Sequence, residues 1–324
     1  MTTKRERLEA TIAGEKTDRS PVALWQHWPV DDQYTEALAD SHVKFQKDYD
    51  FDFIKITMSS SYCLTDYGQQ TTWRGTPEGT RDYDEYIIQF PDDWLTLHPL
   101  DPHQGFLGDI TKSVELIGKN VGSEVPFIPT IFNPLAQAKN LAGDKLIPHL
   151  RQYPEAVKAG LATLTENTIR FIEAVKPSGI AGVFFATQHA QYHLLSEKEY
   201  KTFGMEYDLE ILSATDDLWL NVLHIHGLEV MFDLLANYPI QVINWHDQET
   251  YPTLAEGKEK FQGAVCGGLH RWNTLVRGTP DMVRDSVKQA IESTHGGNRL
   301  IVGTGCVTPI ITPVSNIRAV RESV

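Results

Sequence analysis

Residues 219–247, WLNVLHIHGLEVMFDLLANYPIQVINWHD, contain the pattern that decides the fold. Two short runs rich in aliphatic and aromatic residues, 219–226 and 241–246, are typical of β-strands, and each of them ends in histidine. The same order of a β-rich run, a turn and an amphipathic helical stretch recurs along the chain. This alternation favours a parallel sheet covered by helices.

Six further runs have the composition of strands and are bounded by turn residues. Helical periodicity is clear over residues 154–175, and Thr279 followed by Pro280 predicts the start of another helix, which Gly296 and Gly297 would stop. Eight strand candidates that alternate with helices predict an α/β fold of the (β/α)8 TIM-barrel type. A doubly wound sheet is less favoured, because no G-x-G-x-x-G follows the first strand. The six further runs are residues 21–28, 51–58, 126–132, 179–186, 261–267 and 300–304.

The stretch between the second and third strand candidates, about residues 59–125, is too long for a simple strand-to-helix connection. It contains strand-like pieces of its own at residues 71–73 and 86–90, so we predict an inserted hairpin and lid after strand 2. No repeat or linker divides the chain. Residues 1–324 are therefore interpreted as a single elaborated barrel domain.

The chain of 324 residues has a net charge of −14, from 43 Asp and Glu against 29 Lys and Arg, and no basic block. Such a surface repels phosphate backbones and anionic lipids, which argues against nucleic-acid and membrane binding. No apolar run approaches the roughly 20 residues that span a bilayer, and no signal-peptide pattern is present. The three cysteines are far apart and odd in number, so we expect no disulfide framework and a cytoplasmic location.

The carboxyl ends of the predicted strands carry an excess of histidine, with six of the 12 histidines at or just past them. Alternate residues of a strand share a face, so His224 and His226 would both point into the barrel mouth, where barrel enzymes place their chemistry. With Cys306, at the end of the last strand, they form an N, N, S set with one open position, as in catalytic zinc sites. The alternative is a hydrogen-bonded histidine pair that lines a polar pocket and contacts a carboxylate.

Residues at neighbouring strand ends complete the candidate site. Asp247 would orient a histidine, serve as a fourth ligand or transfer protons; alternatively it is a solvated carboxylate that caps the following turn. The candidate catalytic residues are Asp247, His246, His189 and His27, and the candidate substrate-binding residues are Gln26, Gln188, Trp245 and His270.

Three runs resemble the uroporphyrinogen decarboxylase superfamily: RERLEATIAGEKTDRSPVALW (residues 5–25), CGGLHRWNTLVRGTPDMVRDSVKQAI (266–291) and GGNRLIVGTGCVTPIITPVSNIRAVRESV (296–324). The resemblance extends over nearly the whole chain. It implies a (β/α)8 barrel, which agrees with the fold predicted from the strand candidates. It also implies one of two activities, decarboxylation of uroporphyrinogen or zinc-dependent transfer of a methyl group from a corrinoid to a thiol.

The sequence is more similar to the methyltransferase branch of that superfamily. The decarboxylase branch has closely spaced arginines in the first strand segment, and this chain has no arginine there. The late G-H-G motif of that branch is replaced here by Gly303-Thr304-Gly305, which lacks the histidine. The methyltransferase branch binds zinc through H-x-C and a later cysteine, which His224 and Cys306 match. His226 replaces the middle cysteine, so the implied site keeps one more positive charge. That charge favours an acceptor other than the usual thiol, or a metal ion that acts as a Lewis acid on an oxygen substrate.

Three hypotheses for the function remain. The first is a zinc-assisted methyltransferase that moves a methyl group between a corrinoid or small donor and an acceptor, with the corrinoid on a partner protein. The second is a uroporphyrinogen decarboxylase-like lyase of tetrapyrrole biosynthesis, in which His27, His189 and Asp247 supply protons to a carboxylated substrate. The third is a non-catalytic binding protein, against which the strand-end histidines argue. The resemblance also implies a small-molecule substrate and a homodimer.

Overall fold

A computed structural model describes residues 2–324 as an α/β fold. The strands are β1 (Ile54–Ile56), β2 (Thr71–Thr72), β3 (Asp82–Tyr83), β4 (Phe127–Phe132), β5 (Phe184–Thr187), β6 (Val222–Ile225), β7 (Val242–Trp245), β8 (Ala264–Leu269) and β9 (Leu300–Thr304). The α-helices are α1 (Lys4–Ala13), α2 (Thr35–Tyr49), α3 (Gly105–Val121), α4 (Pro134–Ala142), α5 (Leu146–Gln152), α6 (Pro154–Val175), α7 (Glu197–Tyr200), α8 (Glu206–Ser213), α9 (Phe232–Leu235), α10 (Leu254–Lys260), α11 (Pro280–Ser293) and α12 (Val314–Glu322).

Seven of the strands form one parallel sheet in the order β1-β4-β5-β6-β7-β8-β9, and β2 pairs with β3 in a separate antiparallel hairpin. The expected α/β class and parallel order are therefore confirmed, with seven strands in place of eight. The run 21–28, predicted to be the first strand, makes only one bridge, between Val22 and Val302. Its backbone nevertheless contacts both edges of the sheet. Val22 bridges to Val302 of β9 at one edge, and the amide of Asp52, just before β1 at the other edge, donates to the Val22 carbonyl at 2.9 Å.

The interpretation of residues 59–125 as an insertion needs correction. Its second half is α3, a helix of 17 residues that packs against α2 in the layer outside the sheet, as ordinary barrel helices do. The predicted strand at residues 86–90 is irregular chain; the partner of β2 is β3 instead. The helices expected at residues 154–175 and from Pro280 are present as α6 and α11, and the Thr279 side chain caps α11.

The apolar residues of the strands form two layers, one on each face of the sheet. Ile54 and Ile56 of β1 pack in the large cluster between the sheet and the helices. Phe53, which directly precedes β1, belongs to the smaller cluster inside the curled sheet. The inner cluster also includes Phe184 and Cys266, and the latter is fully buried. No helix among residues 2–324 combines the length and apolar character needed to cross a bilayer.

A buried ion-pair network fixes the chain where it enters the sheet. The fully buried Asp52 carboxylate accepts from Arg7 at 2.7 Å, from both terminal nitrogens of Arg19 at 2.8 and 3.0 Å, and from the Val22 amide at 2.8 Å. Arg7 also pairs with Asp18 through two bonds of 2.8 Å. A buried charge is tolerated only when it is paired and hydrogen-bonded, so these residues hold the 21–25 segment against the sheet edges.

We expect Asp52→Asn to lower the free energy of unfolding by about 3–5 kcal/mol, because it breaks a buried ion pair that has several partners. Urea denaturation followed by circular dichroism measures the loss. Asp50→Asn is the matched control: Asp50 pairs with Lys4 and Arg321 at a side chain that is 62% exposed, where about 0–1 kcal/mol is expected. Equal losses in the two variants would contradict a special role for Asp52.

Candidate metal centre and adjoining cavity

The end of β6 directs two imidazoles to one side of the sheet. Leu223 and Ile225 pack in the outer cluster beneath the helices, so His224 and the following His226 point inward, as the alternation of strand residues predicts. In the parallel register His224 lies beside Asn244 of β7. The next inward residue after Asn244 is His246, which brings a third imidazole to the same level.

Cys306 reaches this group because β9 ends close against the end of β7. A Cβ atom at Gly305 would lie 2.6 Å from the Trp245 carbonyl oxygen and 2.7 Å from the His246 Cα, so only glycine permits the approach. The Cys306 Sγ lies 3.9 Å from the His226 Nδ1. One side-chain ligand atom from each of His224, His226, His246 and Cys306 lies within 4.8 Å of every other. We call these four residues the strand-end cluster.

Two side chains outside the cluster fix the orientation of its histidines. The Asn244 amide donates to the carbonyls of Cys266 (2.8 Å) and Thr304 (3.0 Å), so its oxygen faces the His224 Nδ1 at 2.7 Å and accepts from it. The Glu249 carboxylate likewise lies 2.8 Å from the His246 Nδ1. Both contacts use Nδ1, which leaves each Nε2 available as a ligand.

The charges within the cluster favour a thiolate. Burial alone would raise the pKa of the Cys306 thiol, but the neighbouring imidazoles of His224, His226 and His246 outweigh it and hold the pKa well below its usual range. Burial alone would lower the pKa of His246, yet its contacts with Cys306 and Glu249 raise it to about 9. The lowered pKa favours the thiolate of Cys306, the form in which cysteine binds metal ions.

The donor set fits a zinc ion. Imidazole nitrogen and thiolate sulfur are the ligands that zinc prefers. The His246 Nε2 is buried and has no hydrogen-bond partner in the described structure, as expected of an atom whose partner is a metal ion. The sequence predicts zinc ligands at His224, His226 and Cys306, with Asp247 as a candidate fourth ligand. In the structure the fourth member of the group is His246, which the sequence analysis places among the candidate catalytic residues.

A cavity of about 120 Å³ adjoins the cluster inside the curled sheet. His224, His226 and Cys306 line one side of it. The loop between β2 and β3 contributes Glu78 and Thr80 to another side, so this hairpin covers the cavity. Two of the sequence-predicted residues, His27 and Gln188, also line it. The remaining polar residues of its lining are Lys55, Thr57, Ser60 and Thr130.

Asp247 and His270 lie near the cluster and contact other groups. The Asp247 carboxylate accepts from the Gly268 amide at 3.0 Å and from Gln248 at 2.7 Å, and burial raises its pKa to about 6. It therefore orients none of the cluster histidines. The His270 Nδ1 accepts from two backbone amides at the start of the π-helical turn Arg271–Val276, which makes it a helix cap.

Besides His246, Asp247 and His270, three more predicted site residues lie outside the cavity lining. Trp245 is fully buried against Phe232 on the helix side of β7, so the prediction that it binds substrate is wrong. Gln26 lines a separate depression beside Phe45 of α2, on the outer side of the sheet. The prediction that it binds substrate is therefore also wrong. His189 is buried with a left-handed backbone (φ 65°), and burial lowers its pKa to about 4.

The sequence analysis missed Asn244, Glu249 and Lys55. Asn244 could have been found from alternation, since it is two residues before His246 on the same face of one strand. Glu249 lies in an irregular turn, and Lys55 lies in the middle of β1. No local sequence pattern at either position predicts which groups the side chain contacts.

Comparisons with known proteins give the family relationship of the chain. The family model described as uroporphyrinogen decarboxylase (URO-D) matches residues 3–324. A methylcobamide:CoM methyltransferase MtbA of Methanosarcina acetivorans is 23% identical over 74% of this chain and 69% of its own length. The MtbA of Methanosarcina mazei is 27% identical over 67% of this chain, and the match covers less than two thirds of its own length, 63%. The resemblance to the methyltransferase branch is thereby confirmed.

Solved structures share the fold. A methyltransferase from Methanosarcina mazei superposes with a TM-score of 0.85 at 19% identity, covering 100% of this chain and 98% of that chain. A B12-independent methionine synthase from Shewanella sp. W3-18-1 gives a TM-score of 0.56 at 10% identity, covering 94% and 95%. At these identities the likeness concerns the fold alone.

We expect Asn244→Ala to weaken zinc binding by about 10- to 100-fold, because the His224 ring loses the acceptor that fixes its tautomer. Competition with a chromophoric chelator measures the affinity. Asp247→Asn is the control, because its Oδ2 accepts from Gly268 and Gln248 and no cluster histidine is hydrogen-bonded to it, so this variant should keep the wild-type affinity. A larger loss in Asp247→Asn than in Asn244→Ala would show that the carboxylate is the ligand.

Proposed function

Because the chain belongs to the uroporphyrinogen decarboxylase family, we propose that its strand-end cluster binds a metal ion and serves methyl transfer. The chain is an enzyme of the methyltransferase type, as its MtbA relatives indicate. In the proposed reaction a methyl group moves between a corrinoid, carried by a partner protein, and a small acceptor in the cavity. The observation that supports this best is the convergence of His224, His226, His246 and Cys306 beside a cavity.

His224, His226, His246 and Cys306 would hold zinc. A bound zinc ion would supply a Lewis acid that lowers the pKa of an S–H or O–H group. Two or three neutral imidazoles with a single thiolate leave the site more positive than the H-x-C set of the methyltransferase branch. This charge supports an acceptor that ionises less readily than a thiol.

The chain's own residues would position the acceptor and exclude water. Glu78 in the β2–β3 loop pairs with Arg271 at 2.7 Å, and Arg271 in turn lies 3.8 Å from Glu249, the partner of His246. The loop that covers the cavity is thus joined by charged contacts to the cluster. We propose that it acts as a lid, which keeps water from a reacting anion.

Decarboxylation of uroporphyrinogen is the second candidate, and the cavity does not favour it. None of the described residues that line the cavity is an arginine, and Lys55 is its only cationic side chain besides the histidines. A substrate with many carboxylates would meet one ammonium group and the carboxylate of Glu78. Homodimer formation stays a prediction from the family resemblance.

The first test is the zinc content of protein purified without chelators. We expect about one zinc per chain in the wild type and in His226→Cys, which restores H-x-C, but a marked loss in His226→Ala. Plasma emission spectrometry measures the metal, and thermal melting shows that each variant is folded. A wild-type protein that binds no zinc even after zinc is added back would overturn the metal-assisted function.

A further inference from the structure

Arg271, at the start of the π-helical turn after β8, lies between two carboxylates. Its Nη1 donates to the Glu78 Oε1 of the β2–β3 loop at 2.7 Å, whereas its Nε lies 3.8 Å from the Glu249 Oε1. The Arg271 side chain is 12% exposed, and its Nε is buried without a hydrogen-bond partner in the described structure. Arg271 therefore has one formed ion pair and a second carboxylate just beyond hydrogen-bond distance.

The Glu249 carboxylate has one oxygen to offer Arg271. Its Oε2 faces the His246 Nδ1 at 2.8 Å. Its Oε1 lies 3.9 Å from the His270 Nε2 and 3.8 Å from the Arg271 Nε, so neither of these contacts is a hydrogen bond. A small displacement of the guanidinium toward Glu249 would convert its contact into a charge-assisted hydrogen bond.

Besides the ion pair to Arg271, contacts from two other sides hold the tip of the β2–β3 loop over the cavity. The Ile310 amide, in the chain that follows β9, donates to the Pro77 carbonyl at 2.8 Å. Gly79 packs on His27, where a Cβ atom on the glycine would lie 2.5 Å from the His27 Cβ. These two contacts are uncharged and close only when the tip is down, so the Ile310 amide reports whether the tip has lifted.

The base of the same loop is anchored separately. Arg81 donates to the Pro29 carbonyl at 2.8 Å, and the Asp84 amide donates to the Gln70 carbonyl at 3.1 Å, which joins the two sides of the hairpin. Gly75 has a left-handed φ of 88°, and none of the described residues beyond its neighbours comes within 4 Å of where a Cβ would stand. The tip therefore has room to move about Gly75 while the base stays in place.

We propose that Arg271 is a two-position latch for the lid formed by the β2–β3 loop: paired with Glu78 it holds the lid closed, and paired with Glu249 it lets the lid open. This inference rests on the proposed function, in which the loop is a lid. The exchange of partners keeps the buried guanidinium paired in both positions, and the released Glu78 is solvated, so opening strands no buried charge. Because Glu249 also orients His246, the position of the lid is transmitted to the strand-end cluster.

Hydrogen exchange in metal-free protein tests the latch at the Ile310 amide, whose bond to Pro77 breaks when the tip lifts. We expect Glu78→Gln to speed this exchange about tenfold, because the closed position loses its charged partner. We expect Glu249→Gln to slow it about tenfold, because the open position loses its own. Mass spectrometry of peptides that contain Ile310 measures the exchange, and the Asp84 amide at the base should keep its wild-type rate in both variants.

Opposite signs in the two variants distinguish a latch from an ordinary ion-pair network, in which the loss of either carboxylate would loosen the loop. Glu85→Gln, at an exposed side chain just after β3, is the matched control and should leave the exchange unchanged. In an Arg271→Met background Glu249→Gln should no longer slow the exchange, because the residue that it pairs with is gone. Changes of the same sign in Glu78→Gln and Glu249→Gln, or no change in either, would overturn the latch. The zinc content of the wild type tests the metal-assisted function separately, since the exchange is measured without metal.

Discussion

The Asp52 carboxylate joins the amino-terminal segment to the first strand of the sheet, and the shape of the molecule depends on that junction. Arg7, Arg19 and the Val22 amide all donate to it in the interior. Val22 also bridges to Val302 of β9, so the two ends of the sheet meet across this short segment. The resulting curl directs the carboxyl ends of β6, β7 and β9 toward one point. The buried pairing of Arg7 and Arg19 with Asp52 therefore serves the fold, and the strand-end cluster depends on it indirectly.

Convergence alone would not make a metal site, because four ligands must also present the correct atoms. Gly305 permits close contact between strand ends, and Asn244 determines which nitrogen of His224 carries the proton. Glu249 does the same for His246 and connects it, through Arg271, to the loop above the cavity. Orientation and cover are thus supplied by residues that are not ligands, which is common in metal centres.

The cavity combines features that stabilise the fold with one that opposes it. Its apolar walls continue the inner cluster, whereas Lys55 places a buried amine there that hydrogen-bonds to the Thr57 hydroxyl. Proteins retain such unfavourable groups chiefly where binding uses them, since most of the interior is free to be apolar. Lys55 and three members of the strand-end cluster, His224, His226 and Cys306, line the same cavity.

The sequence by itself determined the alternation of strands and helices, the bounds of α6 and β9, and the inward direction of His224 and His226, because these depend on local periodicity and on the alternation of strand residues. It also brought Cys306 to the same site through strand order. Only the tertiary structure decided that residues 21–28 form a single bridge, that α3 is an ordinary outer helix, that His246 joins the cluster, and that Trp245 and Gln26 face away. These outcomes depend on contacts between residues far apart in the chain. The register of each strand and the packing of its neighbours determine which groups a side chain contacts.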